Sequence, residues 1–384
     1  MSKMRVPVGI LISSEGPYSV VSSSMLCGAL LAIDEVNSSD LPVQLEPVVG
    51  DPCGQLGRYV ALGESMIASG VRHVVGCYTS SSRKEIIPLF EKADALLWYP
   101  SHYEGFESSQ NVIYTGPVAN QHLFPLVEYL ARNVGTSAFC IGSNYIWAWE
   151  NNRILREAMG PAGTVLAERY FPVGARDFTQ VIEAIIAARP SYVFNTLIGV
   201  SSYQFLRDFR AACQQRGIDQ QSIMPVASCT LSEPELLAIG PEAMAGHITS
   251  SVYFGSISTA ENDAFIKAHN EKFPNGPAVS ADAEASYLAV RFLAQALGEI
   301  GSADVNEVRR AVTQHFIMAP QGPVRIDPDT MHASLTPRIG RSNGNGGFDI
   351  LVHAPGPVRA DPYLIRSSPR YVASSIRPAL RVVS

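Results

Sequence analysis

The sequence predicts an α/β protein of two lobes, and three observations lead to this prediction. Its 384 residues exceed the roughly 250–300 residues at which a single hydrophobic core stops growing. Short apolar runs alternate with amphipathic segments, as they do where helices cover a parallel sheet. The alternation then restarts, which indicates two such units of similar size, one after the other.

The first unit begins with a strand, and its helices are marked by apolar residues at helical spacing. After the turn at Gly16-Pro17, for example, Met25, Ala29 and Ile33 recur along one face. We predict strands at Val6–Ser13, Leu45–Val49, His73–Val75, Ala95–Tyr99 and Val112–Tyr114. We predict helices at Ser22–Asn37, Tyr59–Ser69 and Arg83–Ala93.

The second unit repeats the alternation of helices and strands. Its predicted helices are Leu123–Asn133, Glu150–Met159, Phe178–Ala188 and Ser202–Arg216. Its predicted strands are Ala138–Ile141, Val165–Tyr170, Tyr192–Thr196 and Met224–Ala227. Each apolar run is short and bounded by polar or turn residues, which favours strands over buried helices.

The remaining residues do not predict a third lobe, because their helices have no parallel sheet of their own. We predict a strand at His247–Val252, helices at Glu261–Phe273, Asp282–Ile300 and Val305–Gln314, and strand-like pieces at Val324–Ile326, Leu335–Ile339 and Phe348–Val352. The chain is expected to return to the first lobe and cross again, which makes a three-stranded hinge near residues 115–120, 252–257 and 318–330. One lobe would comprise residues 1–117 with 255–325, the other 118–254 with 326–384, and a ligand cleft would lie between them.

Charge and composition exclude several classes of function. A formal net charge of −6 gives no basic footprint for nucleic acid. No run approaches the roughly 18 apolar residues that cross a bilayer, and the apolar run Val6–Ile12 is not followed by a signal-peptide cleavage site. We therefore expect no direct nucleic-acid contact, no membrane insertion and a cytoplasmic location. The alternative is a periplasmic location, if a signal peptide precedes the sequence given.

Polar side chains follow three of the predicted strands. In open α/β sheets, ligands bind beyond the carboxyl ends of the strands, where the next helices begin. The loop 76–82 offers several hydroxyls, although one serine would be enough to cap a helix. The loop 99–105 contributes tyrosine, serine and glutamate side chains. The aromatic residues Tyr145, Trp147 and Trp149 form either a lid over a small ligand or an anchor between helix and sheet.

Patterns of catalytic and metal-binding residues are absent from the sequence. There is no G-x-S-x-G nucleophile elbow, no H-E-x-x-H motif and no G-x-G-x-x-G after a strand. The six cysteines show no C-x-x-C spacing. His102 lies near Glu104, but a loop histidine more often bonds locally than forms an acid–base pair. We expect a binding protein that is not an enzyme and takes no cofactor or metal.

Several segments resemble the urea and short-chain amide receptors. These segments are Val75-Gly-Cys-Tyr78, Asp94-Ala-Leu-Leu-Trp-Tyr-Pro100, Tyr103-Glu-Gly105, Gly142-Ser-Asn-Tyr145 and Ala319-Pro-Gln-Gly-Pro-Val324. The resemblance implies the type I periplasmic-binding-protein fold, in which two Rossmann-like lobes are joined by a three-stranded hinge. It also implies a small neutral amide or urea as the ligand, held by Tyr78, Ser80, Tyr99, Ser101, Tyr145, Trp147 and Thr230.

Within this branch, the sequence is similar to amide-sensing negative regulators of aliphatic amidase operons. That similarity implies a protein that sequesters an RNA-binding antiterminator until an amide binds. The alternative function is the solute-binding receptor of an ABC transporter for urea, short amides or branched-chain amino acids. Cys53 and Cys77 match positions that form a disulfide in exported branched-chain amino acid receptors, which favours the alternative. Whether these two cysteines are bonded, and whether the chain forms a homo-oligomer, the sequence leaves open.

The ligand hypothesis assigns a role to each group in the cleft. Ser80 and backbone N–H groups hold the carbonyl oxygen, tyrosine hydroxyls take the NH2 group, and Trp147 with Tyr145 closes over the ligand. Acetamide and urea are so small that their binding free energy cannot much exceed about −6 kcal/mol, a Kd of tens of micromolar. Such a ligand biases an open–closed equilibrium only if the closed cleft surrounds it.

Overall fold

The computed structural model describes residues 3–369 and has the predicted α/β architecture. The first sheet consists of β1 (Met4–Leu11), β2 (Val43–Gly50), β3 (His73–Gly76), β4 (Leu96–Tyr99) and β5 (Val112–Tyr114). The helices between its first four strands are α1 (Ser19–Ser38), α2 (Leu56–Ala68) and α3 (Ser80–Ala93). The strands are parallel in the order β2-β1-β3-β4-β5. Every residue of β3 and β4 is buried, which explains why both strands are continuous apolar runs in the sequence.

The second sheet begins with a second series of alternating helices and strands. Its first strands are β6 (Ser137–Ser143), β7 (Thr164–Phe171), β8 (Tyr192–Thr196), β9 (Val226–Ser228) and β10 (Ile248–Ser251). The helices of this part are α4 (Ala119–Asn133), α5 (Ile146–Met159), α6 (Thr179–Ala188), α7 (Val200–Gln215), α8 (Gln220–Ile223) and α9 (Glu233–Ile239). The strands β6 to β10 pair in parallel, so this unit repeats the design of the first.

Three helices and a small sheet follow, and they pack on the first lobe, as the sequence predicts for the helices. They are α10 (Ala260–Lys272), α11 (Ala281–Ile300), α12 (Val305–Ala311), β11 (Phe316–Ala319), β12 (Gly322–Ile326) and β13 (Ala333–Ser334). Buried apolar residues from all of them belong to the same core cluster as those of β1 and α1. The helices α1 and α11 approach most closely at Gly28, where a Cβ atom would lie 2.1 Å from the carbonyl oxygen of Ala283.

Two antiparallel strands, β14 (Arg338–Ser342) and β15 (Phe348–His353), complete the second sheet. Its strand order is β15-β14-β10-β9-β8-β6-β7. The chain passes between the two large sheets after β5, after β10 and just before β14. The last passage is predicted at residues 318–330, but β11 and β12 contain most of that stretch and belong to the first core. The sequence pattern does not indicate the hairpin of β11 and β12, because the apolar residues Phe316 and Met318 on its edge strand are exposed and do not mark a buried face.

The end of the described chain returns to the first lobe, whereas the sequence assigns residues 326–384 to the second. Leu335 and Val358 exchange backbone hydrogen bonds of 3.2 and 2.7 Å. The backbone N–H of Phe106 donates to the carbonyl oxygen of Pro362 at 2.8 Å. The predicted strand Leu335–Ile339 is therefore not one continuous strand. Leu335 forms an isolated β-bridge with Val358, and β14 begins at Arg338. The other limits proposed for the two lobes stay predictions.

Several helices begin three or four residues earlier than their apolar periodicity indicates, and two of them follow the expected ligand loops. The helix α3 begins at Ser80 instead of Arg83, and α5 begins at Ile146 instead of Glu150. Thr79 caps α3, because its hydroxyl oxygen accepts the backbone N–H of Ser82 at 3.2 Å. The expected ligand loops 76–82 and 142–149 therefore end in the first turns of two helices.

One described helix, α1, is long and apolar enough to span a membrane, contrary to the expectation that no such run exists. However, 56% of its apolar window is buried inside the fold. Its buried residues belong to the core cluster that also contains residues of α11. This position is that of the core helix of an α/β lobe.

The contact between α1 and α11 gives a test of the fold. Gly28→Ala should lower the free energy of unfolding by about 2 kcal/mol, because a Cβ atom meets the backbone of α11 and the helices must separate. Gly298→Ala is the matched control, since its Cβ atom would make ordinary contacts from 3.4 Å outward. It should be neutral or stabilise by up to about 1 kcal/mol, because alanine favours a helix over glycine. Urea unfolding measures both, and equal midpoints would contradict the packing described.

Candidate ligand-binding cleft

The first wall of the cleft is formed by residues that follow β3 and β4. Tyr78 and Ser80 come directly after β3, and Ser101 and His102 come directly after β4. Because these strands are neighbours in a parallel sheet, their carboxyl ends bring the side chains to one edge. The ring of Tyr78 contacts the ring of His102 edge-on, with centroids 6.0 Å apart.

The hydroxyl groups of this wall donate their protons to acceptors within the protein. Ser80 Oγ donates to Glu104 Oε2 at 2.5 Å, and Tyr99 OH donates to the carbonyl oxygen of Tyr78 at 2.8 Å. Ser101 Oγ donates to Asp282 Oδ1 at 3.0 Å. A hydroxyl has one proton and two lone pairs. In this arrangement these groups retain only lone pairs for further hydrogen bonds, which differs from the donor role that the sequence hypothesis gives to Ser80.

A buried arginine lies behind the hydroxyl wall. Arg83 has no exposed surface, and its guanidinium pairs with Glu104 at 3.0 Å and with Glu107 at 2.8 Å. Its Cζ lies 4.7 Å from the ring centroid of Tyr99 and 4.5 Å from that of Tyr103. Burial opposes ionisation of Glu107, but the Arg83 charge and hydrogen bonds hold the pKa of that carboxyl below its usual range. Glu104 is thus engaged by Ser80 and Arg83, and it does not form the acid–base pair with His102 that the sequence raises.

Aromatic residues at the start of α5 form part of the opposite wall. The rings of Tyr145 and Trp147 stack with centroids 6.4 Å apart, and the Trp147 ring lies 5.1 Å from that of His102 across the cleft. The indole N–H of Trp147 is buried and has no hydrogen-bond partner among the described residues. Trp149 instead is 46% exposed and donates to Asn144 at 3.1 Å, so it takes no part in a lid.

Acidic residues that the sequence reasoning missed lie at the same place. Glu235 Oε1 accepts the hydroxyl proton of Tyr203 at 3.2 Å. Burial raises the pKa of Glu235 to about 7, and Asp282 of the first lobe adds to the rise. Burial likewise raises the pKa of Glu233 to about 7. The capping pattern Ser232-x-x-Glu235 at the start of α9 is the sequence signal that could have identified this helix.

A cavity of about 20 Å³ lies between the lobes, which is room for about one water molecule. It is lined by Pro100, His102, Pro117, Cys229, Thr230, Leu231, Ser232, Glu233, Ser251, Tyr253, Phe254, Ala281 and Asp282. Of the predicted ligand residues, Thr230 lines it directly. Ser101 lies between two lining residues and bonds a third, while Tyr78 and Trp147 contact His102.

Tyr99, Ser80 and Tyr145 lie next to the cavity without lining it. Burial raises the pKa of Tyr145, and the nearby hydroxyl of Tyr99 and carboxylate of Glu104 raise it further. The structure therefore brings the predicted residues to one region between the lobes, and their contacts with a ligand stay predictions. A wider groove of about 500 Å³ lies on the outer surface between α4 and β15, away from these residues.

The lobes are closed on each other around this cavity. The backbone N–H of Val200 in the second lobe donates to the carbonyl oxygen of Pro17 in the first at 3.0 Å. The Arg153 guanidinium of α5 lies 4.9 Å from the ring centroid of Phe106. Gly199 has φ +55°, and a Cβ atom there would lie 1.9 Å from the Pro17 oxygen. Only glycine therefore allows the lobes to approach this closely.

The cysteines of this chain are not joined by disulfide bonds in the structure. All six cysteines are free thiols, including Cys53 and Cys77. Burial raises the pKa of Cys77 to about 12, so its thiol is protonated and unreactive at neutral pH. Among residues 3–369, no group of three or more histidine, cysteine, aspartate or glutamate side chains is arranged to hold a metal ion.

Two α/β lobes closed on a small polar cavity define a ligand-binding protein of the cleft type. A family profile described as "Periplasmic binding protein domain" matches residues 6–369, and the chain belongs to that family. It is a ligand-binding protein and not an enzyme, as the sequence predicts, because the family that matches almost the whole chain is one of binding proteins.

Curated relatives extend over most of the chain at low identity. The "Leu/Ile/Val-binding protein homolog 6" of Brucella abortus (strain 2308) is 21% identical over 335 residues, 85% of each chain. The "Leucine-, isoleucine-, valine-, threonine-, and alanine-binding protein" of Pseudomonas aeruginosa is 24% identical over 81% of this chain and 83% of its own. A shorter match, 25% identical over 126 residues, is to "Limonene hydroxylase" of Geobacillus stearothermophilus. This chain spans only 23% of that protein's length.

Solved structures agree with the fold. A solute binding protein of an ABC transporter from Rhodopseudomonas palustris HaA2, in complex with p-hydroxybenzoic acid, has a TM-score of 0.83 and 19% identity. That match covers 94% of this chain and 99% of the other. The branched-chain amino acid transporter substrate binding protein LivJ from Streptococcus pneumoniae, in complex with isoleucine, has a TM-score of 0.77, 18% identity and coverage of 92% and 100%. None of these relatives singles out the amide-sensing regulators.

The contact at Gly199 predicts a variant that stays open. Gly199→Ala should destabilise the closed form by about 1–3 kcal/mol, because the new Cβ atom overlaps the first lobe. Small-angle X-ray scattering should then give a larger radius of gyration than the wild type. Gly217→Ala is the control, since Gly217 also has a positive φ of +65° but nothing within 4 Å of the added atom. The same radius for both variants would mean that the lobes do not close at Gly199.

Proposed function

We propose that the chain is the solute-binding receptor of an ABC transporter, and that it closes around a short-chain amide or urea. The single observation that carries this ligand class is the direction of the hydroxyl protons in the first wall. Ser80, Tyr99 and Ser101 each donate their proton to another group of the protein, so in this arrangement they accept hydrogen bonds from a ligand. A ligand that brings N–H groups satisfies them.

The absence of a lysine or arginine around the cavity supports a neutral ligand over a carboxylate. The cavity lining contains Asp282 and Glu233, and its one imidazole, His102, has its Nδ1 3.6 Å from Asp282 Oδ1. Arg83, the buried cation nearby, is already paired with two glutamates. A carboxylate placed here would lie beside Asp282 without a lysine or arginine to pair with it, and burying an unpaired charge costs several kcal/mol.

Trp147 supplies the complementary donor. Its indole N–H is buried and unpartnered in the described part of the chain, and such a group costs about 1–3 kcal/mol until it finds an acceptor. The carbonyl oxygen of an amide or of urea is an acceptor of suitable size. The proposal therefore assigns the ligand oxygen to Trp147 and the ligand NH2 groups to the hydroxyls and to Asp282.

The relatives that match most of the chain support transport over gene regulation. They are named as amino-acid-binding proteins, and several solved neighbours are solute-binding proteins of ABC transporters. The regulator expected from the sequence, with an RNA-binding antiterminator as its partner, stays a prediction without such support. The cellular location of the protein distinguishes a transport receptor from a gene regulator. Cell fractionation with an antibody to the chain should find a receptor in the periplasm, whereas a cytoplasmic protein that co-purifies with an RNA-binding partner would favour the regulator.

Calorimetric titration tests the ligand class. Urea, acetamide and propionamide should bind with a Kd of tens of micromolar or weaker, given the ceiling of about −1.5 kcal/mol per heavy atom. Acetate, leucine and 4-hydroxybenzoate complete the panel. Heat with leucine or 4-hydroxybenzoate and none with any amide would contradict the proposed ligand class.

A pair of tryptophan variants tests the role of the indole N–H. Trp147→Phe should weaken amide binding roughly tenfold, about 1.4 kcal/mol, because the ligand oxygen loses its donor. Trp98→Phe is the matched control, since Trp98 is also fully buried with an unpartnered N–H but lies in the core of the first sheet. It should leave the affinity within about twofold of the wild type. Equal losses of affinity in the two variants would contradict the role given to Trp147.

A further inference from the structure

We propose that Glu104 is a positioning residue that sets ligand specificity by fixing the direction of the Ser80 hydroxyl proton. The inference rests on the proposed function, in which Ser80 faces the ligand. Glu104 itself makes no contact with the ligand. It acts by turning Ser80 from a group that can donate or accept into one that only accepts.

The Glu104 carboxylate accepts two hydrogen bonds, and Lys84 Nζ lies 3.8 Å from its Oε1. Its Oε2 accepts the Ser80 hydroxyl proton at 2.5 Å, and its Oε1 accepts from Arg83 Nη2 at 3.0 Å. The side chain is 2% exposed, so water does not compete for these positions. A carboxylate is an acceptor only. The proton between the two side chains must therefore come from Ser80.

The Arg83 side chain beside Glu104 is held in place by several contacts. Its Cζ lies 4.7 Å from the ring centroid of Tyr99 and 4.5 Å from that of Tyr103, and it is also paired with Glu107, so it is not free to turn away from Glu104. The backbone that follows Glu104 is held as well. Gly105 has φ +86°, and a Cβ atom there would lie 2.3 Å from the carbonyl oxygen of Pro362.

The consequence is selectivity at one point of the cleft. The lone pairs of Ser80 accept an amide or ammonium N–H, whereas a carboxylate oxygen at the same point has no proton to share with them. The wild type should therefore prefer acetamide to acetate, which has nearly the same shape and lacks the N–H groups.

The test replaces the carboxylate with an amide of the same size. In Glu104→Gln, the side-chain oxygen can keep its bond to Arg83 while the NH2 group turns to Ser80. The Ser80 hydroxyl then accepts from glutamine, and its own proton becomes free for a ligand oxygen. The ratio of acetamide affinity to acetate affinity, measured by calorimetric competition, should fall at least tenfold.

Two controls separate positioning from loss of charge or stability. Glu107→Gln removes a charge from the same arginine but does not touch Ser80, so its affinity ratio should stay within twofold of the wild type even if both affinities fall. In a Ser80→Ala background, Glu104→Gln should have no further effect on the ratio, since the two residues act as one unit. Equal changes of the ratio in Glu104→Gln and Glu107→Gln, or an effect that persists without Ser80, would overturn the proposal.

Failure of the proposed function can be told apart from failure of this inference. If the wild type binds leucine and no amide, the proposed ligand class is wrong. Glu104→Gln must then still shift the preference between leucine and 4-methylpentanoate, which lacks the ammonium group, while Glu107→Gln must not. If Glu104→Gln does not change the preference between leucine and 4-methylpentanoate, the proposed role of Glu104 is overturned as well. A wild type that binds no member of the panel would overturn both.

Discussion

The buried Arg83 guanidinium is the charge on which the first wall of the cleft depends. An unpaired cation with no exposed surface would cost several kcal/mol, so the surrounding residues are arranged to compensate it. Glu104 and Glu107 supply the negative charge, and the rings of Tyr99 and Tyr103 lie against the guanidinium. Because Glu104 is held in this way, the Ser80 hydroxyl has a fixed partner. In the proposed function, the charge of Arg83 and Glu104 thus acts on the ligand through the hydrogen bond between Glu104 and Ser80.

Closure of the lobes is the second constraint, because the very small ligand that we propose contributes little binding energy. The backbone bond between Pro17 and Val200, and the contact between Arg153 and Phe106, are made across the lobes without any ligand atom. Such contacts lower the free energy that the ligand must provide to hold the closed form. They also explain why a glycine stands at residue 199, where any side chain would meet the other lobe.

The candidate site could be located from the sequence but its chemistry could not. The strand-end rule leads to Tyr78, Ser80 and Ser101, because strand ends are readable from apolar runs. The acceptor of each hydroxyl proton was not readable. Ser101 bonds to Asp282, which is 181 residues away in the chain. Glu235 and its helix α9 were missed, since a short helix with little apolar periodicity gives a weak signal.

The sequence by itself determined the α/β class, the restart that makes a second lobe and the return of α10 to α12 to the first. These follow from local periodicity and from the need of each apolar face for a partner. Only the tertiary structure decided that residues 316–334 form a small sheet on the first lobe and that the chain comes back to Gly105 through Pro362. It alone also decided which way the cleft hydroxyls donate. Each of these depends on pairs of residues far apart in the chain, which no local pattern records.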